Sequence, residues 1–144
     1  MRWLERTAPD WDAAARESLA AEALRVLADP AFARLFGPES RAEVPIVGVV
    51  GDVAVAGQVD RLAVSPGEVF VLDYKTHRRA PANESQVSEI HLRQMALYRA
   101  LLAGAFPGRA VRCALLWTEG PRIMELSGAI LDRFLPESPR APRG

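Results

Sequence analysis

The chain has 144 residues, 49% of them hydrophobic and 25% charged, with a formal net charge of zero and a pI near 6.7. That is enough for one domain with a real core, and it excludes a global basic field, so any nucleic-acid contact must come from a local patch. A single cysteine, Cys113, excludes an internal disulfide and a multi-cysteine zinc or iron–sulfur site within the chain, and no apolar run reaches the roughly 18–20 residues of a membrane span.

The N-terminus lacks a signal-peptide pattern, so a cytoplasmic protein is expected. Met1 to Pro9 read as a lead-in. Asp10 is a plausible N-cap for a helix through Ala28, with Ala20, Ala23, Leu24 and Leu27 as its apolar stripe. Asp29-Pro30 restarts the chain, since proline fits the first position of a short helix that ends at Gly37. Phe32, Leu35 and Phe36 give that helix a packing face. From Arg41 the period changes to that of strands. Glu43 to Val50, Val53 to Val64 and Glu68 to Tyr74 predict an antiparallel meander, turning at Gly51-Asp52 and at Ser65-Pro66-Gly67. Val69-Phe70-Val71-Leu72 scarcely alternates, as expected of a strand buried on both faces.

His77 to Glu84 reads as a polar loop. Ser85 or Ser88 caps a helix reaching about Ala105, with Ile90, Met95, Leu97, Leu101 and Leu102 on its buried side. Val111 to Thr118 and Arg122 to Leu126 are two further strands, with Cys113 a buried thiol on the first. Ile130 to Leu135 is a last short helix, and 136–144 a disordered tail. The sum is an α/β sandwich around one mixed sheet.

The chemistry concentrates between Gly57 and Thr76. Residues two apart on a strand share a face, so Asp73 and Lys75 project together and Tyr74 points away. Closure of the hairpin brings Asp60 to the same region. Lys75 is the only lysine among 18 Lys and Arg. A flexible ammonium differs from a rigid guanidinium fork, and here it stands two residues after an aspartate. Two carboxylates and an ammonium make a poor core and a good holder for a divalent metal and a phosphate. Hard oxygen ligands favour Mg²⁺ or Mn²⁺ over Zn²⁺.

Three segments in order, Gly57-Gln58-Val59-Asp60-Arg61, Val71-Leu72-Asp73-Tyr74-Lys75-Thr76 and Gln94-Met95-Ala96-Leu97-Tyr98, resemble the RecB-type branch of the PD-(D/E)xK nucleases. More narrowly they look like the C-terminal nuclease domain of AddA-type helicase–nuclease subunits of double-strand-break repair. The resemblance covers roughly Phe32 to Leu135. It implies a restriction-endonuclease-like αβββαβ core, a central mixed sheet flanked by helices, over 1–135. It implies that Asp60 and Asp73 hold the metal with the Tyr74 carbonyl, and that Lys75 is the catalytic lysine. Gln94 and Tyr98 match an element that lies beside the active site and helps position DNA. Glu43 resembles a glutamate at the start of the first core strand, and Arg61 is a supporting residue that pairs with an acid such as Glu43 or is purely structural. Arg78, Arg79, Arg93 and Arg99 cluster in sequence around the site and are candidates to grip DNA phosphates.

The RecB-type branch also uses a histidine on a helix upstream of the strands as a metal ligand. The helix expected over Asp10 to Ala28 has none, and His77 and His91 do not sit at that position. The expectation is therefore a nuclease domain lacking the upstream histidine motif, with DNA and a second helicase–nuclease subunit as partners. A nuclease-fold module that no longer cuts, and a small-molecule hydrolase built on the same metal cluster, stay open as alternatives.

Overall fold

The computed structural model of the chain describes residues 28–119 and 122–136, with the backbone alone for Ala31, His77 and Arg78. The helix expected over Asp10–Ala28 lies outside the described residues except for Ala28, and the tail does so beyond Pro136. The chain enters through a 3₁₀ helix, η1 (Pro30–Phe36), set off by the Asp29-Pro30 break. Three strands follow: β1 (Ser40–Val50), β2 (Val53–Val64) and β3 (Glu68–Arg79). A single 3₁₀ turn, η2 (Glu84–Gln86), leads into helix α1 (Glu89–Ala105). Strands β4 (Ala110–Glu119) and β5 (Arg122–Leu126) and the short helix α2 (Gly128–Asp132) complete the order.

The five strands form one sheet in sequence order. β3 and β4, joined across α1, run parallel, and the other neighbours are antiparallel. This is the mixed-sheet α/β architecture that the pattern predicts. Pro45 is tolerated because β1 is an edge strand. On β3, Val69 and Val71 enter the large core under α1 and α2, whereas Phe70 and Leu72 enter a smaller one under η1. All four are 1% exposed or less, which explains the missing alternation. Cys113 is buried on β4, and that burial pushes its thiol up to about 12, so it is chemically inert.

Three expectations need correction. β3 does not end at Tyr74 but continues to Arg79, because β4 runs beside it and pairs Lys75 with Trp117 and Arg79 with Glu119. Ile90 is 76% exposed. The buried face of α1 is carried instead by Leu92, Met95, Ala96, Tyr98 and Leu102. The last helix begins earlier than Ile130, because Ser127 accepts from the Ile130 N–H at 3.2 Å and so fixes the start at Gly128. Ser127 is held in turn by the Glu84 carboxylate, at 2.8 Å from its N–H and 2.7 Å from its hydroxyl.

Candidate active site

The site sits where the sheet divides. β2 and β3 pair from Val64↔Val69 to Arg61↔Leu72 and no further. Above that point β2 continues with β1 alone and β3 with β4 alone. The next opposing residues are Asp60 and Asp73, one on each lip of the gap. Beyond the parting the β2–β3 ladder no longer reaches the Tyr74 N–H. The Asp60 carboxylate takes its place, accepting from that N–H at 2.6 Å. The N–H and C=O of one strand residue point to the same side, so the Tyr74 carbonyl also faces the gap. The following carbonyl, of Lys75, turns to β4, where the buried Thr118 hydroxyl lies 3.4 Å away.

On the α1 side, Asp73 Oδ2 accepts from Lys75 Nζ at 2.5 Å, with both side chains about nine-tenths buried. Lys75 Nζ also approaches Gln94 Oε1 at 3.4 Å, and Gln94 Nε2 donates to the Tyr98 hydroxyl at 3.2 Å. A β-carbon on Gly57 would lie 2.2 Å from that hydroxyl, so only glycine admits the tyrosine here. The one-turn spacing of Gln94 and Tyr98 on α1 thus bridges the gap, from Lys75 on β3 to Gly57 on β2.

Among the described residues the cluster sets two carboxylates against one ammonium and is short of positive charge. Burial, followed by the hydrogen bond and repulsion from Asp73, pushes the Asp60 carboxyl from 3.8 up to about 6, although the Tyr74 N–H and Lys75 pull the other way. Such a pair suits a cation. Among the described residues no three His, Cys, Asp or Glu converge. Mg²⁺ nevertheless needs only one or two carboxylates, since it retains several waters. Asp60, Asp73 and the Tyr74 carbonyl are hard oxygen donors of the kind it takes, so the residues fit the group.

The remaining candidates fall elsewhere. Arg61 faces the η1 side. Its Nε donates to the Leu35 carbonyl at 2.7 Å and to Ser40 Oγ at 2.9 Å, and its guanidinium lies over Phe36. It makes no pair with Glu43 and ties η1 to the sheet. Tyr74 packs among Phe32, Phe36 and Leu72 on that same face. Its phenol is pushed up by burial, against the pull of Arg61. Tyr98 is buried, at 4% exposed, and meets the site through Gln94. Arg93 is exposed on the next stripe of α1, ion-paired with Glu89 at 4.0 Å and beside Val53, Leu97 and Phe134. Arg99 pairs with Asp132 of α2 at 2.6 Å and lies beside Ala110 and Val111, at the opposite end of β4 from Trp117. The structure therefore does not bring Arg99 to the site. Arg79 is exposed near the end of β3. The Arg78 and His77 side chains lie outside what is described. Sequence reasoning missed Thr118, for which a threonine at a strand end gives no distinctive signal.

No curated protein matches the chain. A crystal structure from Eubacterium rectale, named as a "putative exonuclease", aligns with a TM-score of 0.52 at 16% identity, over 83% of this chain and 48% of that one. A Vibrio cholerae protein aligns at 14% identity with a TM-score of 0.37, over 75% of this chain and 27% of that one. The chain thus spans about half the length of the first of these structures and about a quarter of the second. The first likeness shows a shared fold. At the level of sequence, the family model of the PD-(D/E)XK nuclease superfamily matches residues 2–135, nearly the whole chain and all three motif segments, so the chain belongs to that superfamily and its divided mixed sheet is the restriction-endonuclease-like fold.

Proposed function

We propose that this chain is the metal-dependent DNA nuclease domain of a helicase–nuclease that acts in double-strand-break repair, working in the cytoplasm beside a second subunit. The observation that carries the nuclease reading is the pair Asp60 and Asp73 on the lips of the gap, with Lys75 Nζ held between Asp73 and Gln94. Membership of the nuclease superfamily supports it. The exonuclease name of the Eubacterium rectale protein favours cutting from ends. The helicase and repair context rests on the RecB-type and AddA-type resemblance of the three motif segments.

Asp60, Asp73 and the Tyr74 carbonyl would hold Mg²⁺ or Mn²⁺. When bound, such an ion supplies charge neutralisation and a more acidic water. Hydrolysis forms a bond from water oxygen to phosphorus and breaks the bond to one sugar oxygen, which leaves with a proton. Lys75 Nζ is placed to orient the attacking water and to offset negative charge that builds on the phosphate. Gln94 holds that ammonium against Asp73. Tyr98 acts through Gln94 and touches no substrate. Gln94, Arg78 and Arg93 are the candidates for contact with the DNA backbone, and the Glu89 pairing of Arg93 is exposed enough to yield to a phosphate.

The purified chain should cut linear DNA in Mg²⁺ or Mn²⁺, and Asp73→Asn and Lys75→Ala should each slow that cleavage by about 10²–10³ or more while the variants keep the circular dichroism of the folded chain. Wild-type rates in either variant would overturn the assignment. One observation favours a second reading, a module that binds DNA or docks a partner without cutting: only two carboxylates converge among the described residues. Calorimetry with Mn²⁺ separates the two. Binding that Asp73→Asn removes supports the nuclease, and absence of binding at millimolar metal supports the docking module.

A further inference from the structure

Glu43 is the only non-glycine residue with a positive φ among the described residues, at 55°. In that left-handed region a β-carbon crowds the backbone, and glutamate is not among the residues that visit it readily. Nothing local offsets the strain. The side chain is exposed and makes no hydrogen bond or ion pair among the described residues.

The effect appears on the strand opposite. The β1–β2 ladder keeps one register throughout, with Ala42 on Arg61 and Val44 on Val59, yet the pair between them, Glu43 and Asp60, is missing from it. Across that missing pair β2 changes face. Arg61 reaches the η1 side, to the Leu35 carbonyl, whereas Val59 is fully buried in the core under α1. Residues two apart on a regular strand would share a face. Asp60 is the residue at the turnover. Its carboxylate stands off neither face but lies along the sheet, where it meets the Tyr74 N–H, a group that points in the sheet plane. A regular β1–β2 pair would send Asp60 out to one face, beyond reach of that N–H.

We propose that the left-handed backbone of Glu43, and not its carboxylate, turns Asp60 edge-on into the gap, so that Glu43 is a positioning residue for the acidic pair. Its importance for cleavage rests on the nuclease reading above, whereas its effect on Asp60 does not. Glycine and asparagine accept a positive φ and lack the carboxylate. Alanine resists it, and β-branched valine resists it more. Nothing in the structure explains a glutamate side chain here.

The test uses the whole chain as wild type, Glu43→Gly, Glu43→Asn, Glu43→Ala and Glu43→Val. It reads hydrogen exchange of the Tyr74 amide, Mn²⁺ affinity and single-turnover cleavage. Glu43→Gly and Glu43→Asn should keep all three within about threefold of wild type. Glu43→Val should lose about tenfold or more in each, the usual scale for an outer-shell partner of a metal ligand, with Glu43→Ala between. If Glu43→Val fails to fold, the gap between alanine and glycine decides. Loss in the glycine and asparagine variants equal to that in alanine would show that the carboxylate matters, and would overturn the proposal. So would a valine variant that behaves as wild type. If the wild type neither binds Mn²⁺ nor cuts, the nuclease reading fails, and the ranking of Tyr74 exchange still decides this one.

Discussion

Strand β3 begins in one ion network and runs through another, and the two are built on opposite terms. At its start Glu68 meets Arg34 at 2.8 Å and Arg112 at 3.4 Å, while Arg112 also grips Glu125 through two bonds of 2.7 and 2.9 Å and lies over Phe70. Two cations face two anions, and all four side chains keep contact with water. Further along, Asp73 and Lys75 are about nine-tenths buried, and Asp60 joins them with no second cation among the described residues. A balanced, wet network is complete without a further partner and contributes modestly to stability. A buried, unbalanced one is costly and finds its balance in something that binds. The polar residues are of similar kinds at both places. What differs is that the ladder is closed at the first and open at the second.

The sharpest way to break this contrast is at the single lysine. Lys75→Met removes the ammonium, and Lys75→Arg keeps the charge but replaces a point donor with a planar fork between Asp73 and Gln94. Both should slow single-turnover cleavage by about 10²–10³, the scale for loss of one preorganised donor. Arginine activity within about tenfold of wild type would mean that the site needs only a charge there and not the reach of Lys75 Nζ.

Gly57→Ala tests the far wall of the gap. The added carbon would lie 2.2 Å from the Tyr98 hydroxyl and 3.0 Å from its ring, so the tyrosine must move and Gln94 loses its support. A cost of about 1–3 kcal/mol in urea denaturation is expected, as for overpacking elsewhere in cores, with slower cleavage. Tyr98→Phe in the same chain removes the closest clashing atom and should restore part of that stability, a coupling that a double-mutant cycle measures. Additive losses would show that the two residues do not press on one another.

Much of this site is legible in the sequence because it obeys local periods. Asp73 and Lys75 share a face by the two-residue repeat, and Gln94 and Tyr98 share a stripe by the helical one. The remainder depends on geometry between strands. That Asp60 lies edge-on follows from the missing pair with Glu43, and that Tyr98 is buried follows from its approach to Gly57. Neither leaves a mark in the composition of its own segment. The arginines mislead for a related reason. Arg93 and Arg99 are near Gln94 in sequence, but a helix turns about 100° per residue, which carries the first to another stripe and the second to the other end of β4. The fold itself is read more completely, since β2 and the doubly buried run of β3 carry strong patterns. The extra length of β3 comes from pairing with β4, which no local signal reports.

Acidity gives a smaller but more diagnostic effect. In metal-free protein the native state holds the Asp60 proton up to about pH 6, whereas the unfolded chain releases it near 3.8. Between those values the native state binds more protons, so stability falls as pH rises from about 4 through 6 and is level above. Asp60→Asn is neutral throughout and still able to accept from the Tyr74 N–H. In EDTA it should equal wild type below pH 4 and exceed it by about 1 kcal/mol at pH 7, since solvent screens a half-buried carboxylate. Added Mn²⁺ should raise the melting temperature of wild type and not of the variant. A variant that is less stable at pH 7 in EDTA would show that the acidic pair is not under tension.

The smallest effect belongs to the balanced network, and it decides whether the contrast holds. Glu68→Gln keeps the shape of the side chain and removes its charge, leaving Arg112 still gripped by Glu125 and Arg34 exposed to water. The loss should be below about 1 kcal/mol in urea denaturation and should shrink further in high salt, where exposed pairs are screened. Cleavage should stay within about twofold, because Val69 to Leu72 lie fully paired and buried between Glu68 and Asp73 and give the charge no path to the gap. A change in cleavage as large as that of Gly57→Ala would mean that β3 shifts as one rigid element, with the structural network at its start setting the separation of Asp60 and Asp73 at the gap.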